Sequence, residues 1–302
     1  MKLNLTARHK RQVSSIVLMT ARLLCAPDEG LVPAQHEAMD DASSPPPGLY
    51  YLGYLFNYRS SDLYMPGNNA RLPGDVQLKS TSVINRLMWI TDHKLLGADY
   101  GMEVIVPMAR NSLHSPTYGV DLSESGGADI YVSPLILGWH TPRWDVSVGT
   151  GVWLDNARVG DAFLGPGAGY KRYVVSGGAT YYLDEARSWS ASALLHYQHN
   201  DRASYGWRFG DQVSMDWGFG RRWGPLQAGV VGYSRWQVQR DEGLGTADSY
   251  AQNHAVGLQA SYIFLQAKMM LRAAYYKEFG AKAGSLPATQ GDLLRLTVIK
   301  AF

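Results

Sequence analysis

From Gly48 to the end of the chain, hydrophobic and polar residues alternate with a period of two, in segments separated by turn-rich connections. Tyr50, Leu52, Tyr54, Phe56 and Tyr58 share one face of the first segment, with Gly53, Asn57 and Arg59 on the other. Farther on, Leu96, Ala98, Tyr100, Met102, Val104 and Val106 oppose Asp99, Gly101 and Glu103, and Trp144, Val146, Val148, Val152 and Leu154 oppose Asp145, Ser147, Gly149 and Gly151. The pattern returns at 189–198, 212–220, 268–276 and 294–298, where Leu294, Leu296 and Val298 face away from Arg295 and Thr297. Period two is the signature of a β-strand with chemically distinct faces, and these spacings predict about twelve strands. Two are less tidy. The strand near Thr81–Asp92 has Asn85 on one face and Arg86 on the other, and the one near Ala128–Trp139 becomes apolar on both faces towards its end.

The connections alternate as well. Short ones fall near Asp92–Lys94, His140–Arg143, Asp184–Arg187, Arg221–Gly224 and Phe264–Gln266. Long ones fall near Ser60–Lys79, Ala109–Gly126, Asn156–Gly169, Asn200–Arg208, Arg240–Gln252 and Gly280–Gly291. Sorting by parity is expected of an up-and-down transmembrane barrel, with short turns on one side of the membrane and longer loops on the other. Aromatic residues follow the same sorting. Trp89, Trp139, Trp144, Tyr181, Trp189, Trp217, Phe219, Tyr262, Phe264 and Phe302 lie near the short turns, and Tyr58, Trp153, Tyr197, Trp236 and Tyr275 near the long loops. They read as two interfacial girdles bounding an apolar band about 25 Å tall. The terminal Phe302 closes the last strand, the feature by which barrel-insertion machinery recognises an outer-membrane chain, and it places both chain ends on the periplasmic side.

Composition narrows this further. No stretch of eighteen apolar residues exists, which excludes a spanning helix and leaves a barrel untouched, since only alternate residues meet lipid. The only cysteine is Cys25, so neither a disulfide framework nor a cysteine metal site is available. Lys2, Arg8, Lys10 and Arg11 precede an apolar stretch from Val13 to Ala21, a signal-like leader over residues 1–26 that Arg22 interrupts. Cleavage there removes five basic and no acidic residues and takes the formal charge from +2 to −3, so the case for nucleic-acid binding goes with it. Residues 27–47, acidic and ending in Pro45, Pro46 and Pro47, form an arm that either hangs in the periplasm or folds into the lumen as a plug. Residues 48–302 form the barrel.

Several segments resemble the meta-pathway phenol-degradation family of outer-membrane proteins. They are Pro47-Gly48-Leu49-Tyr50 with Tyr54 and Tyr58; Gly127 and Asp129-Ile130 followed by Pro134, Gly138 and Trp139; Tyr205 with Gly210; and Gly232-Tyr233 with Gln237, Asp241, Gly243 and Gly245. The resemblance implies an outer-membrane barrel tied to catabolism of aromatic or other hydrophobic compounds, acting as an uptake channel and not as an enzyme. It brings no binding residues with it. Lys300 departs from the family's pattern, standing where the closing strand usually has an apolar residue.

A charged side chain facing lipid at the midplane costs about 2–4 kcal/mol, so the ionic residues of the strands are expected to line the pore. These are Arg59, Asp99, Glu103, Asp129, Asp145, Arg172, Asp216, Arg235, Lys268, Arg272 and Arg295. They form either an electrostatic ladder bracing the wall or a charged constriction that screens solutes. About twelve strands give a narrow, partly filled lumen. Polar-face glycines such as Gly149, Gly151, Gly177, Gly178, Gly218 and Gly220 read first as points of curvature. Gly165, Gly167 and Gly169 lack the context of a phosphate loop. His196, His199, Asp201 and Ser204 invite a lipid-hydrolase reading, but alternation sends His196 and His199 to opposite faces. No metal or other cofactor is implied. The expected function is a passive channel for small hydrophobic or aromatic solutes, with a non-transporting structural or binding barrel second and a lipid hydrolase third. The expected partners are outer-membrane lipid, the insertion machinery and the solute, with no nucleic acid.

Overall fold

A computed structural model describes Met39, residues 42–160 and residues 164–302. The leader, Cys25 and most of the arm lie outside the described residues. Thirteen strands follow in order: β1 (Gly48–Tyr64), β2 (Gln77–Leu95), β3 (Ala98–Ser115), β4 (Val120–Gly127), β5 (Tyr131–His140), β6 (Trp144–Trp153) and β7 (Arg172–Tyr182). Then come β8 (Trp189–Asn200), β9 (Gln212–Trp223), β10 (Leu226–Gln237), β11 (Gln252–Phe264), β12 (Met269–Lys282) and β13 (Ala288–Ala301). All pairings are antiparallel between neighbours, and β1 pairs with β13 from Tyr50↔Ala301 to Tyr64↔Ala288, which closes the sheet on itself. Twelve strands make the closed barrel.

The extra strand is β4, which sequence alternation left inside a long connection. The long β3 is shared between two neighbours: its short-turn half pairs with β5, from Asp99↔Gly138 to Ile105↔Tyr131, and its long-loop half with β4, from Met108↔Gly127 to Ser115↔Val120. Strands β1 to β3 are 17–19 residues long, nearly twice what a membrane requires, so this part of the wall stands above the bilayer. The register of β5 shifts between Val132 and Leu135 as its ladder to β6 passes Ser133-Pro134. A proline has no N–H for that ladder and sits readily at a bulge, and the extra residue explains why alternation blurs in this segment.

Burial separates the two faces. Leu87, Val146, Val175, Leu195, Val230, Leu258, Leu271 and Leu296 are exposed on the outside, as a lipid-facing band demands. The short-turn girdle is built as expected, with Trp144 against Tyr181 at 4.5 Å and Trp189 stacked on Phe219 at 5.4 Å between ring centres. At the long-loop end, Tyr197 and Tyr275 face outward, but Tyr58 and Trp153 are buried inside.

The largest correction concerns β1. Its aromatic face points inward: Leu52, Tyr54, Phe56 and Tyr58 are all buried, while Leu55 is exposed outside. Greasy residues here fill the lumen instead of meeting lipid. Arg59 therefore points outward, exposed, its Nε donating to Asn57 Oδ1 at 3.1 Å. It sits high on a strand that overshoots the membrane, where an outward arginine costs little. Lys268 is not in the lumen either. It is an exposed turn residue with φ of 47°, and the strand begins one position later. In β2, Arg86 takes the inward position and Asn85 the outward one, where it accepts the Tyr51 hydroxyl at 2.8 Å.

Candidate lumen site and its two closures

Inward-facing residues arrange the lumen in three tiers. Nearest the short turns, Asp145 on β6 accepts the hydroxyls of Ser43 (2.6 Å) and Tyr182 (2.8 Å) and lies 3.0 Å from His140 Nδ1. Asp99 on β3 pairs with Lys94 and lies 3.6 Å from His140 Nε2, so His140 stands between two carboxylates. The donor to Asp145 belongs to the arm, and the rest of the described arm follows it into the barrel. Ser44 Oγ lies only 1.8 Å from where a Cβ on Gly138 would sit, and Met39 Sδ only 2.2 Å from where one on Gly220 would sit. Met39 and Ala42 are fully enclosed. The described arm residues thus lie inside the barrel, with Gly138 and Gly220 as their seats.

The middle tier holds a cavity of about 440 Å³. Residues 43–46 form its floor. Arg86 and Glu103 meet across β2 and β3 at 2.6 Å. Arg272 Nε donates to Ser261 Oγ at 3.3 Å, and Arg295 donates to Gln259 Oε1 at 2.7 Å while its guanidinium lies over Tyr276. Asp216 faces inward on β9, 3.6 Å from His196 Nε2.

The outer tier is densely packed. Glu278 accepts Tyr233 Oη at 2.6 Å, Asn253 Nδ2 at 2.8 Å and the Gly291 N–H at 2.8 Å, and lies 2.7 Å from Tyr58 Oη. Arg235 stacks over Tyr233. Arg172 pairs with Asp129 at 3.3 Å over the Trp153 ring, and Asp129 also accepts the N–H groups of Ala157 and Ala168. Leu164, from the loop after β6, is fully buried, and its carbonyl accepts from the lumen-facing Asn111 at 3.1 Å. Tyr170, Ala203, Phe209 and Leu286 cluster from three loops beside it. Asp241 ties these loops together, accepting from Gly210 N and Gln237 Nε2 at 2.8 Å and from Ser285 N at 3.3 Å.

Asp99, Glu103, Asp129, Asp145, Arg172, Asp216, Arg235, Arg272 and Arg295 thus all face inward, spread over three levels and mostly paired or hydrogen-bonded. The arrangement is the bracing ladder more than a single charged ring. Alternation sets Arg86 opposite Asn85 without giving its facing, and His140, Tyr131 and Glu278 escape the sequence reading as lumen residues, although carrying the β12 alternation two residues past Tyr276 reaches Glu278. Ser204, His196 and His199 are not brought together: His196 is inside, His199 Nδ1 lies 3.0 Å from Asp211, and Ser204 is held in a loop against Gly169. The N–H groups of Gly165 and Gly167 are consumed by Val159 and Arg158 carbonyls. Among the described residues, no three His, Cys, Asp or Glu side chains gather as metal ligands.

Burial pushes the Asp211 carboxyl up, but hydrogen bonds from Tyr197, His199 and the Asn200 N–H outweigh it and hold it below the usual carboxylate range. The stabilisation is complete above the unfolded value, near 4, and disappears as pH falls through the lower folded value. Protease cleavage of the 201–211 loop in the folded barrel should therefore rise on acidification below about pH 4, and Asp211→Asn should flatten that dependence.

A family model described as "Putative MetA-pathway of phenol degradation" matches residues 62–294. The chain belongs to that family. Among solved structures, this phenol-degradation family barrel is similar to an outer membrane channel from Pseudomonas putida F1, at 15% identity with a TM-score of 0.77, over 88% of this chain and all of that one. A FadL homologue from Pseudomonas aeruginosa matches at 10% identity and TM-score 0.44, over 94% of this chain and 98% of that one. The NalP translocator domain from Neisseria meningitidis matches at 10% identity and TM-score 0.49, over 97% and 98%. No curated protein matches. The family barrel is an outer-membrane protein with its apolar band in the lipid.

Proposed function

We propose that the barrel is a passive channel bringing small hydrophobic or aromatic compounds across the outer membrane for catabolism. The carrying observation is the 440 Å³ cavity on the barrel axis, of a size that suits single-ring molecules, with apolar side chains along one wall and hydroxyls along the other. The inward turn of the β1 aromatics supports an organic solute over an ionic one, because it replaces the water-filled interior of a general porin with rings and aliphatic chains. The family's link to phenol degradation and the channel among the similar structures point the same way. The inward ionic residues act as pore-wall braces. Both chain ends lie in the periplasm, and Phe302, exposed with its N–H bonded to the Leu49 carbonyl, is presented to the insertion machinery.

A non-transporting barrel is the second reading, favoured by one observation: arm residues 43–46 floor the cavity, and side chains around Glu278 and Asp129 crowd the lumen on its other side. Uptake separates the two. A strain lacking the gene should accumulate a labelled monoaromatic compound more slowly at low external concentration and recover when the gene is returned. Equal uptake with and without the gene would sink the channel.

A further inference from the structure

The lumen cavity has two unlike walls. Leu52, Ile105, Ile136 and Ile299, from β1, β3, β5 and β13, line the apolar one. Ser147, Ser176 and His196, from the successive strands β6, β7 and β8, line the other, and Ser176 and His196 are direct cross-strand partners. His196 is only 7% exposed. Neither of its ring nitrogens has a hydrogen-bond partner, and the nearest charged group, Asp216 Oδ2, lies 3.6 Å from Nε2, beyond hydrogen-bond reach. A buried polar group is expensive to leave unsatisfied, so an imidazole placed in this way at a cavity wall is built to meet something that enters the cavity.

We propose that His196 recognises a hydroxyl group, so that the cavity binds a small apolar body carrying one neutral hydroxyl, such as a simple phenol, in preference to the parent hydrocarbon or the matching carboxylate. The inference rests on the cavity being the transit site. A neutral imidazole offers one donor and one acceptor, and a hydroxyl offers the same pair in return. A hydrocarbon leaves the ring unsatisfied. A carboxylate only accepts, and the Asp216 charge beside His196 repels it. The cations lining the cavity do not reverse this preference, since Arg86 is held by Glu103, Arg272 donates to Ser261, and Arg222 stands at the exposed turn end of β9. The ring of the solute lies on the aliphatic wall opposite, and Ser147 and Ser176 flank the hydroxyl.

Calorimetric titration of the folded full-length protein in detergent with p-cresol, toluene and p-toluate tests this. Wild type should bind p-cresol about tenfold more tightly than toluene, with p-toluate weaker than p-cresol. His196→Leu should keep its toluene affinity and bring p-cresol down to it, and His196→Gln, which restores one donor and one acceptor, should recover part of the difference. Equal binding of p-cresol and toluene by wild type overturns the proposal, as does a p-cresol preference that survives in His196→Leu. Tighter p-toluate overturns the neutral head group. If His196→Leu does not fold, the wild-type and His196→Gln titrations decide alone. A wild type without the p-cresol preference, with gene-dependent uptake intact, removes only the role of His196. Unchanged uptake in the deletion strain removes the transit reading itself.

Discussion

A chain beginning at Pro47 should conduct severalfold more current across a planar bilayer than the full-length protein. The described part of the arm occupies the short-turn end of the lumen, and its hold there is modest. Ser43 gives one hydrogen bond to Asp145, worth about 1 kcal/mol net, and burial of Met39 adds about 1.5–3 kcal/mol. A steric clash of about 1–3 kcal/mol is comparable to that total, so a single side chain in the right place should unseat the arm without truncation. Gly138 is that place. A Cβ there meets Ser44 and then only the end of the His140 ring at 3.6 Å, with no backbone of the wall in the way. Gly138→Val in the full chain should therefore reproduce the high conductance of the truncated protein while the barrel still migrates as a heat-modifiable band. The seat at Gly220 is a poorer probe, because the Ala228 carbonyl lies 2.9 Å from a Cβ there and the wall itself would strain. Unchanged conductance in both variants would mean that the arm is not what closes the exit.

Arg172→Ala should cost about 3 kcal/mol or more of folding stability, read as a lowered urea midpoint in lipid vesicles. Its partner Asp129 is almost wholly buried and cannot be rehydrated by small movements. The carboxylate keeps the two amide donors from Ala157 and Ala168 but loses its cation, and the Trp153 ring loses the guanidinium above it. Breaking a buried pair from one side is far costlier than removing both members. The double variant Arg172→Met with Asp129→Asn should accordingly regain much of the loss. If the single and double variants are equally unstable, the pair itself is not what holds the loop after β6 inside the mouth.

Three residues show what could and could not be read from the chain. Arg295 was legible because Leu294 and Leu296 flank it on a strand with one greasy face, and an arginine among lipid tails is prohibitive. Arg59 misled because β1 has greasy residues on both faces, and the choice between them is made by what fills the lumen opposite. Gly220 looked like a bend, and Gly138 only like part of a family likeness, because alternation along a strand carries no record of another segment passing over it. Strand β4 stayed hidden for a related reason: it pairs with the outer half of a strand whose inner half already has a different neighbour.

By itself the sequence determined the architecture. A period of two, loops sorted by parity and aromatics gathered at strand ends leave a closed transmembrane barrel, because each backbone group in lipid must be paired and each alternate side chain must tolerate acyl tails. The tertiary structure decided which way β1 faces, that the described arm residues enter the barrel at its short-turn end, that the long loops crowd the other end, and where the remaining cavity lies. Those outcomes depend on side chains from distant strands and loops competing for one enclosed volume, and that competition exists only once the barrel has closed.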